Sequence, residues 1–222
     1  MDSKPVCLIL AGPHAKAIEI HGKALVPEGM EWIGPQQFLG SPLGPSDKPK
    51  SPLLSGWEHE REKQEKMRRQ ESFVFQTHYM DRDKNQALIQ GCKEHGYRIH
   101  LYYFGVRSLA EAYAMADNVR HIRGFPPLYQ ENIERGYLGG MRELNRDLSR
   151  LDRILFCATA QGGPRLLCVL DKEERVRLQS THQERWYQQH FETTVNQYYP
   201  HKQLSDYIAL SPDLALGKKL SI

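Results

Sequence analysis

The first apolar segment of the chain leads into residues that could bind phosphate. The stretch L-I-L-A-G-P-H-A-K-A contains Gly12 followed by Lys16. A phosphate-binding loop of the form G-x-x-x-x-G-K-[ST] uses glycines to let backbone N–H groups surround the phosphates, a lysine to neutralise charge, and a hydroxyl to bind Mg²⁺. Here Lys16 comes two residues early, the second glycine is missing, and Ala17 stands at the hydroxyl position. The loop is therefore an incomplete version of the pattern.

A second lysine offers another frame for the same loop. Lys23 lies in H-G-K-A, with Ala17 where the first glycine belongs and Ala24 at the hydroxyl position. This frame also starts six residues beyond the end of the predicted strand. Neither frame is intact, so Lys16 and Lys23 both stay open as the phosphate-binding lysine.

The other reactive side chains are histidines and cysteines. His14 and His78 follow predicted strands and could accept a proton, although such a histidine is more often exposed or held in a structural hydrogen bond. The four cysteines contain no C-x-x-C pair, so we expect reduced thiols and no metal site. They are Cys7, Cys92, Cys157 and Cys168.

Apolar runs that alternate with helical patterns position these residues. The runs predict strands at 5–11, 72–77, 98–106, 153–158 and 165–170. Helical patterns lie at 57–71, 82–95, 108–123 and 130–152. This alternation is typical of an α/β fold with a mostly parallel sheet and helices on both faces. In such sheets ligands bind at the carboxyl ends of the strands, so we expect Gly12–Ala17, Gln76–Asp81 and the loop near Ala158 to meet there.

Local signals mark the ends of several helices. Asp81 and Asp83 are placed to cap the helix that follows them, and Gly96 is placed to end it. Ser108 and Glu111 form an S-x-x-E capping box for the next helix. A stripe at three- and four-residue steps in the helix at 130–152 predicts core positions at Ile133, Tyr137, Met141, Leu144, Leu148 and Leu151.

The chain divides by composition into one domain and a tail. Residues 1–178 carry the α/β pattern and 179–222 form a polar extension that we expect to be helical. Within the domain, 34–56 is rich in glycine, proline and serine and is expected to be an irregular loop. Residues 17–33 stay ambiguous, because A-I-E-I-H-G-K-A-L-V alternates like a strand where a helix is expected.

Composition narrows the classes of function. The 222 residues are 40% hydrophobic and 26% charged, with a net charge of +3. This charge is too small to indicate nucleic-acid binding. No apolar run approaches the roughly 20 residues of a membrane helix, and the amino-terminal segment is not typical of a signal peptide. We therefore expect a cytoplasmic protein that binds neither membranes nor nucleic acid.

The order of these segments resembles the zeta-toxin family of P-loop kinases. Three segments occur in the family's order: K-P-V-C-L-I-L-A-G-P, V-P-E-G-M-E-W-I-G-P-Q-Q and E-S-F-V-F-Q-T. The third is followed by a helix, a glycine–tyrosine turn and an apolar strand, as in the family. The helix before Gly124, the I-x-R-G-Y at Ile133–Tyr137 and the hairpin G-G-P-R-L-L agree in spacing. The resemblance covers roughly residues 4–170.

The resemblance implies a P-loop kinase-like fold and a function. Members of the family transfer the γ-phosphate of ATP to a hydroxyl of a nucleotide-sugar, with Mg²⁺ bridging the phosphates. It implies nucleotide binding by Gly12, Lys16, Arg120 and Arg135. It also implies an antitoxin-like protein partner.

The same resemblance implies which residues bind the substrate and which one occupies the position of the catalytic base. The family's E-T-T corresponds to Gln76, Thr77 and His78, and the family's catalytic base falls on Gln36. An amide cannot act as a general base, so activity should be lower than in an intact kinase. Three functions stay open: a divergent kinase, a pseudokinase that binds a nucleotide or a protein without turnover, and a plain interaction protein.

Overall fold

The structure is a computed structural model. It describes residues 4–13, 18, 21–22, 25–33, 52–115, 133–160, 163–173, 176–179 and 184–199. No helix in these ranges is both long enough and apolar enough to cross a membrane.

Seven strands form one mixed sheet. Five of them correspond to the predicted strands: β1 (Val6–Ala11), β3 (Phe73–Thr77), β4 (Arg98–Gly105), β5 (Arg153–Ala160) and β6 (Gly163–Asp171). Two short ones were not predicted: β2 (Glu31–Ile33) and β7 (Val176–Gln179). The order is β2-β3-β1-β4-β5-β6-β7. The first five strands in this order are parallel, and β6 and β7 add antiparallel pairs at one edge. The predicted mostly parallel α/β fold is confirmed.

Strand register brings the carboxyl ends of the central strands together. Ala11 pairs with Thr77 on one side and with Tyr103 on the other. Gly105 pairs with Ala158 on the next strand. The segments that follow β1, β3, β4 and β5 therefore leave the sheet at the same edge, as the sequence predicts.

Both faces of the sheet are covered. On one face, side chains of β1 such as Cys7 and Ile9 join a large core with the helices that follow. On the other face, Leu8 and Leu10 pack with the helical residue Ile18. The alternation of side chains along a strand puts odd and even positions of β1 into different cores.

The first long helix, α1 (Pro52–Arg69), begins earlier than the sequence predicts. The predicted loop at 34–56 therefore ends before Pro52, and its remaining residues lie outside the described ranges. Proline is favoured in the first turn of a helix, where its missing N–H has no partner to lose. The prediction of an irregular loop up to residue 56 did not take this preference for proline into account. The Met67 side chain of α1 is buried in the core of the domain.

The helix α2 (Arg82–Glu94) has the predicted ends. The Asp81 side chain accepts a hydrogen bond from the Lys84 backbone N–H at 3.2 Å. After the last turn, Gly96 has φ of +76°, a left-handed conformation that suits glycine. The serine half of the capping box is also present further on: the Glu111 backbone N–H donates to Ser108 Oγ at 3.2 Å, and residues 109–115 are helical. The Glu111 carboxylate accepts from the Arg107 backbone N–H at 2.6 Å.

Residues 133–150 form one helical segment, which we call the glycine helix. It contains a π-helical turn (Arg135–Gly139), the helix α3 (Gly140–Asp147) and a 3₁₀ turn (Leu148–Arg150). The predicted stripe is confirmed as core, since Met141, Leu144, Leu148 and Leu151 are at most 1% exposed. Ile133 and Tyr137 pack at the start of the same stripe.

The described part of the tail is helical between Arg185 and Tyr198. This segment buries Trp186, Tyr187, Phe191 and Val195 in the same core as the sheet. Phe156 of β5 packs on Phe191 with ring centroids 4.7 Å apart. The division at residue 178 stays a prediction, and the apolar side chains of the helical residues beyond it join the core of the sheet.

Candidate functional site

The carboxyl end of β1 lies where the connections of the sheet change direction. The chain leaves β1 toward β2 on one side, returns to β3 beside β1, and then crosses to β4 on the other side. In parallel sheets such a switch point opens a crevice in which ligands bind. The residues in and around the end of β1 therefore form the candidate site.

Gly12 lies against the neighbouring strand. A Cβ added at Gly12 would lie 2.5 Å from the backbone oxygen of Phe104 on β4. A Cβ atom does not fit at that distance, so the residue that follows β1 must be a glycine. Close packing of the loop on β4 is thus one reason for a glycine here, whether or not the loop binds phosphate.

His78 connects the end of β3 to the loop after β1. Its Nδ1 lies 3.1 Å from the carbonyl oxygen of Gly12. The side chain is partly exposed. Burial lowers the pKa of His78, and the hydrogen bond to Gly12 opposes this shift. The imidazole is therefore neutral at pH 7.

The residue after His78 has an unusual backbone. Tyr79 has φ of +60°, a left-handed conformation that a bulky residue seldom adopts. Its backbone N–H donates to Thr77 Oγ1 at 3.0 Å, and its carbonyl accepts from Asn85 Nδ2 at 3.0 Å. Its hydroxyl donates to Asp147 Oδ2 at 3.1 Å. These bonds hold the turn after β3 in one conformation.

The glycine helix packs on both loops. A Cβ on Gly140 would lie 2.6 Å from the carbonyl oxygen of His78, and one on Gly136 would lie 3.6 Å from that of Pro13. The exposed Arg135 directly precedes Gly136. The helix can approach so closely because these positions carry no side chain.

The predicted site residues fall into two groups. The structure describes Gly12, Gln76, Thr77 and Arg135, and the register of β1 with β3 brings the first three to the same sheet edge. Gln76 is 5% exposed and Thr77 is partly exposed. The others lie outside the described residues: Lys16, Lys23, Gln36, Arg120 and His14. The roles of all these residues stay predictions.

Sequence reasoning missed Tyr79 and Gly140. The doubled glycine in Y-L-G-G-M was a usable signal, because a glycine inside a helical pattern often marks a close backbone approach. The left-handed Tyr79 had no such signal, and its hydroxyl partner Asp147 lies 68 positions further along the chain.

The described residues contain no group of three or more histidine, cysteine, aspartate or glutamate side chains arranged to hold a metal ion. The four cysteines are buried free thiols, as expected.

Comparison with solved structures identifies the fold. A crystal structure of AvrRxo1-ORF1:AvrRxo1-ORF2 with sulphate ions superimposes with a TM-score of 0.61 at 15% identity, over 91% of this chain and 66% of that one. AvrRxo1-ORF1:-ORF2 with ATP gives 0.60 at 14% identity, with the same coverage. The chain has the fold of the zeta-toxin-like P-loop kinases.

A third structure extends the comparison to a bacterial toxin–antitoxin system. The PezAT system of Streptococcus pneumoniae matches with a TM-score of 0.50 at 11% identity, over 91% of this chain and 82% of that one. The zeta-toxin-like fold thus covers most of the chain, which spans just under two thirds of the length of the AvrRxo1 chains. No family model and no curated protein sequence matches the chain.

Proposed function

We propose that the chain is a nucleotide-dependent phosphotransferase of zeta-toxin type. In this proposal it transfers the γ-phosphate of ATP to a hydroxyl of a nucleotide-sugar or a similar small molecule. The observation that carries the proposal is the position of Gly12 at the switch point of a P-loop kinase-like sheet. A nucleotide-binding loop follows the first strand in this fold, and ligands collect at this edge.

The nucleotide side of the site combines backbone and positive charge. Gly12 starts the loop, and Lys16 and Arg120 are its proposed phosphate ligands. Arg135 is exposed next to Gly136, which faces Pro13 of the same loop. An arginine here can bind phosphate oxygens through two parallel hydrogen bonds. The AvrRxo1-ORF1:-ORF2 complex, which shares this fold, was solved once with ATP and once with sulphate ions, which supports an anion site.

The substrate side lies at the end of β3. Gln76 and Thr77 are the last two residues of β3. Their side chains point to opposite faces of the sheet because they are adjacent in a strand. Thr77 Oγ1 accepts a hydrogen bond from the Tyr79 backbone N–H, so its hydroxyl proton is free to donate to a ligand. We assign both residues to substrate binding.

The chain's own residues supply positioning and charge. Mg²⁺, when bound with the nucleotide, neutralises phosphate charge, and the arginines and lysine hold the phosphates in line with the attacking hydroxyl. The incomplete loop and the amide at Gln36 should lower both ATP affinity and rate. A pseudokinase that binds ATP without turnover is the alternative outcome of the test below.

The test measures binding and transfer separately. Mg-ATP should raise the melting temperature, because a ligand that binds only the folded state stabilises it. Lys16→Ala should remove this shift, whereas Lys93→Ala, an exposed lysine on α2, should leave it unchanged. If Lys23→Ala removes the shift instead, Lys23 is the loop lysine.

Transfer is then measured with labelled ATP and a panel of nucleotide-sugars. Labelled product would support the kinase. A melting shift with no labelled product would support the pseudokinase. If neither nucleotide nor nucleotide-sugar raises the melting temperature, the proposed function is wrong and an interaction protein is the better hypothesis.

We also infer an antitoxin-like protein partner. The neighbours include a two-chain AvrRxo1-ORF1:-ORF2 structure and a toxin–antitoxin system, which supports a kinase whose activity a second chain controls. Expression of the active chain alone should slow host growth, and a Lys16→Ala chain at equal abundance should not. Normal growth of cells that contain the active chain would contradict this inference.

A further inference from the structure

The loop after β3 presents a histidine whose ring orientation is fixed by the loop after β1. His78 Nδ1 lies 3.1 Å from the carbonyl oxygen of Gly12. A carbonyl oxygen only accepts hydrogen bonds, so Nδ1 must carry the proton. In the neutral ring, Nε2 then has a free lone pair, and this nitrogen has no hydrogen-bond partner within the described part of the chain.

The backbone of His78 is held from both sides. Its carbonyl oxygen lies against Gly140 of the glycine helix, where a Cβ would come within 2.6 Å. The next residue, Tyr79, is kept in a left-handed conformation by bonds to Thr77, Asn85 and Asp147. Strained residues that the surroundings hold in place are concentrated at functional sites. The imidazole is therefore preorganised at the switch point.

The charge state of His78 suits a proton acceptor. Burial favours the neutral ring and lowers the pKa of His78. The titratable groups on the elements packed beside it include Tyr103 on β4, and Arg135, Tyr137 and Asp147 on the glycine helix; Asp147 accepts a hydrogen bond from the Tyr79 hydroxyl. Burial raises the pKa of Tyr103 and of Tyr137, so they stay neutral. Burial thus keeps His78 in the neutral form, which can accept a proton.

We propose that His78 is the general base of this site and that its Nε2 accepts the proton of the substrate hydroxyl. This inference rests on the proposed function. The hydroxyl oxygen forms a bond to the γ-phosphorus of ATP, and the bond from that phosphorus to the bridging oxygen breaks. The bridging oxygen leaves with the electron pair as part of ADP. The proton on Nε2 then passes to solvent, and the neutral ring is restored.

This role would replace the carboxylate that is missing at Gln36. The purely structural role for His78 is to tie the end of β3 to the loop after β1. The two roles differ in which ring nitrogen matters: Nδ1 for the tie and Nε2 for the base. A substitution that keeps one nitrogen and removes the other separates them.

His78→Asn makes this separation, because the asparagine Nδ2–H occupies the place of the Nδ1–H and can donate to Gly12. If His78 is the base, kcat of phosphate transfer falls by about 10²–10⁴-fold, the effect of losing a general base. The Mg-ATP melting shift should stay. His95→Asn is the matched control: its Nδ1 also meets a backbone carbonyl, that of Gly91 at 2.8 Å, on the exposed end of α2. It should transfer phosphate at the wild-type rate.

The pH profile gives a second readout. Wild-type kcat/KM should fall below the pKa of His78 as the ring is protonated, and this acid limb should be absent in His78→Asn. A wild-type rate and an unchanged acid limb in His78→Asn would overturn this inference and leave the proposed function standing. No transfer by the wild-type chain to any nucleotide-sugar would overturn both.

Discussion

Replacing Gly140 by alanine tests how the glycine helix packs on the site. Both Gly139 and Gly140 have right-handed helical backbone, with φ of −66° and −59°, so alanine fits the backbone at each. A Cβ at Gly139 would lie 3.6 Å from Cβ of Met80, an ordinary contact. At Gly140 it would lie 2.6 Å from the backbone oxygen of His78. Gly139→Ala is therefore the matched control.

The expected magnitude follows from two opposing effects. Alanine gains up to about 1 kcal/mol over glycine inside a helix, and this gain is shared by both variants. The overlap at Gly140 costs a further 1–3 kcal/mol, roughly the price of overpacking a core. The difference between the two variants isolates the overlap at about 1–3 kcal/mol, with Gly140→Ala the less stable.

The assay is urea denaturation of both variants at one pH. An unchanged m-value with a lower midpoint in Gly140→Ala would show lost stability without a change in the surface exposed on unfolding. The melting temperatures should differ by about 2–12 °C in the same direction. Equal midpoints for Gly139→Ala and Gly140→Ala would refute the close approach of the glycine helix to His78.

Three further predictions concern stability. Ser108→Ala removes the cap of the helix at 109–115 and should cost about 1 kcal/mol, seen as a lower urea midpoint; an unchanged midpoint would argue against the capping box. Phe191→Ala should cost about 3–5 kcal/mol because the ring is fully buried, whereas a neutral change would show that the tail lies outside the core. Burial lowers the pKa of His100 to about 4, so the unfolded chain binds the proton first and stability should fall as pH drops from about 6.5 toward 4. His100→Gln should flatten that part of the stability curve, and an equally steep curve in the variant would contradict this assignment.

Most of the fold could be predicted from long apolar runs, which mark strands, and from residues that mark the ends of helices. β1, β3 and β4 were predictable because they are buried and bounded by turns. Asp81 and Gly96 marked the ends of α2 because capping depends on local residues alone. The two missed strands, β2 and β7, have only three and four residues, too few to show a period.

The burial of the tail helix was not predicted, for a different reason. Trp186, Phe191 and Val195 follow one another at steps of five and four residues, and the first step spans a π-helical turn. An extra residue in a π-turn shifts the apolar stripe away from the regular helical spacing. The buried face was therefore hard to read as a stripe in an otherwise polar stretch.

The sheet edge that holds the candidate site was predictable, but the contacts at that edge were not. The rule that parallel strands present ligands at their carboxyl ends placed Gly12 and Gln76 at one edge, and the register agrees. The bond from His78 to Gly12 and the bond from Tyr79 to Asp147 join residues 66 and 68 positions apart. Such pairs depend on tertiary packing, and no local pattern in the sequence encodes them.

Hydrogen–deuterium exchange with and without Mg-ATP tests the central claim most directly. Nucleotide binding at the switch point should slow exchange in peptides that cover the end of β1, the turn after β3 and the start of the glycine helix. Lys16→Ala should abolish this protection. Protection confined to other parts of the chain, or none at millimolar ATP, would contradict a nucleotide site at Gly12.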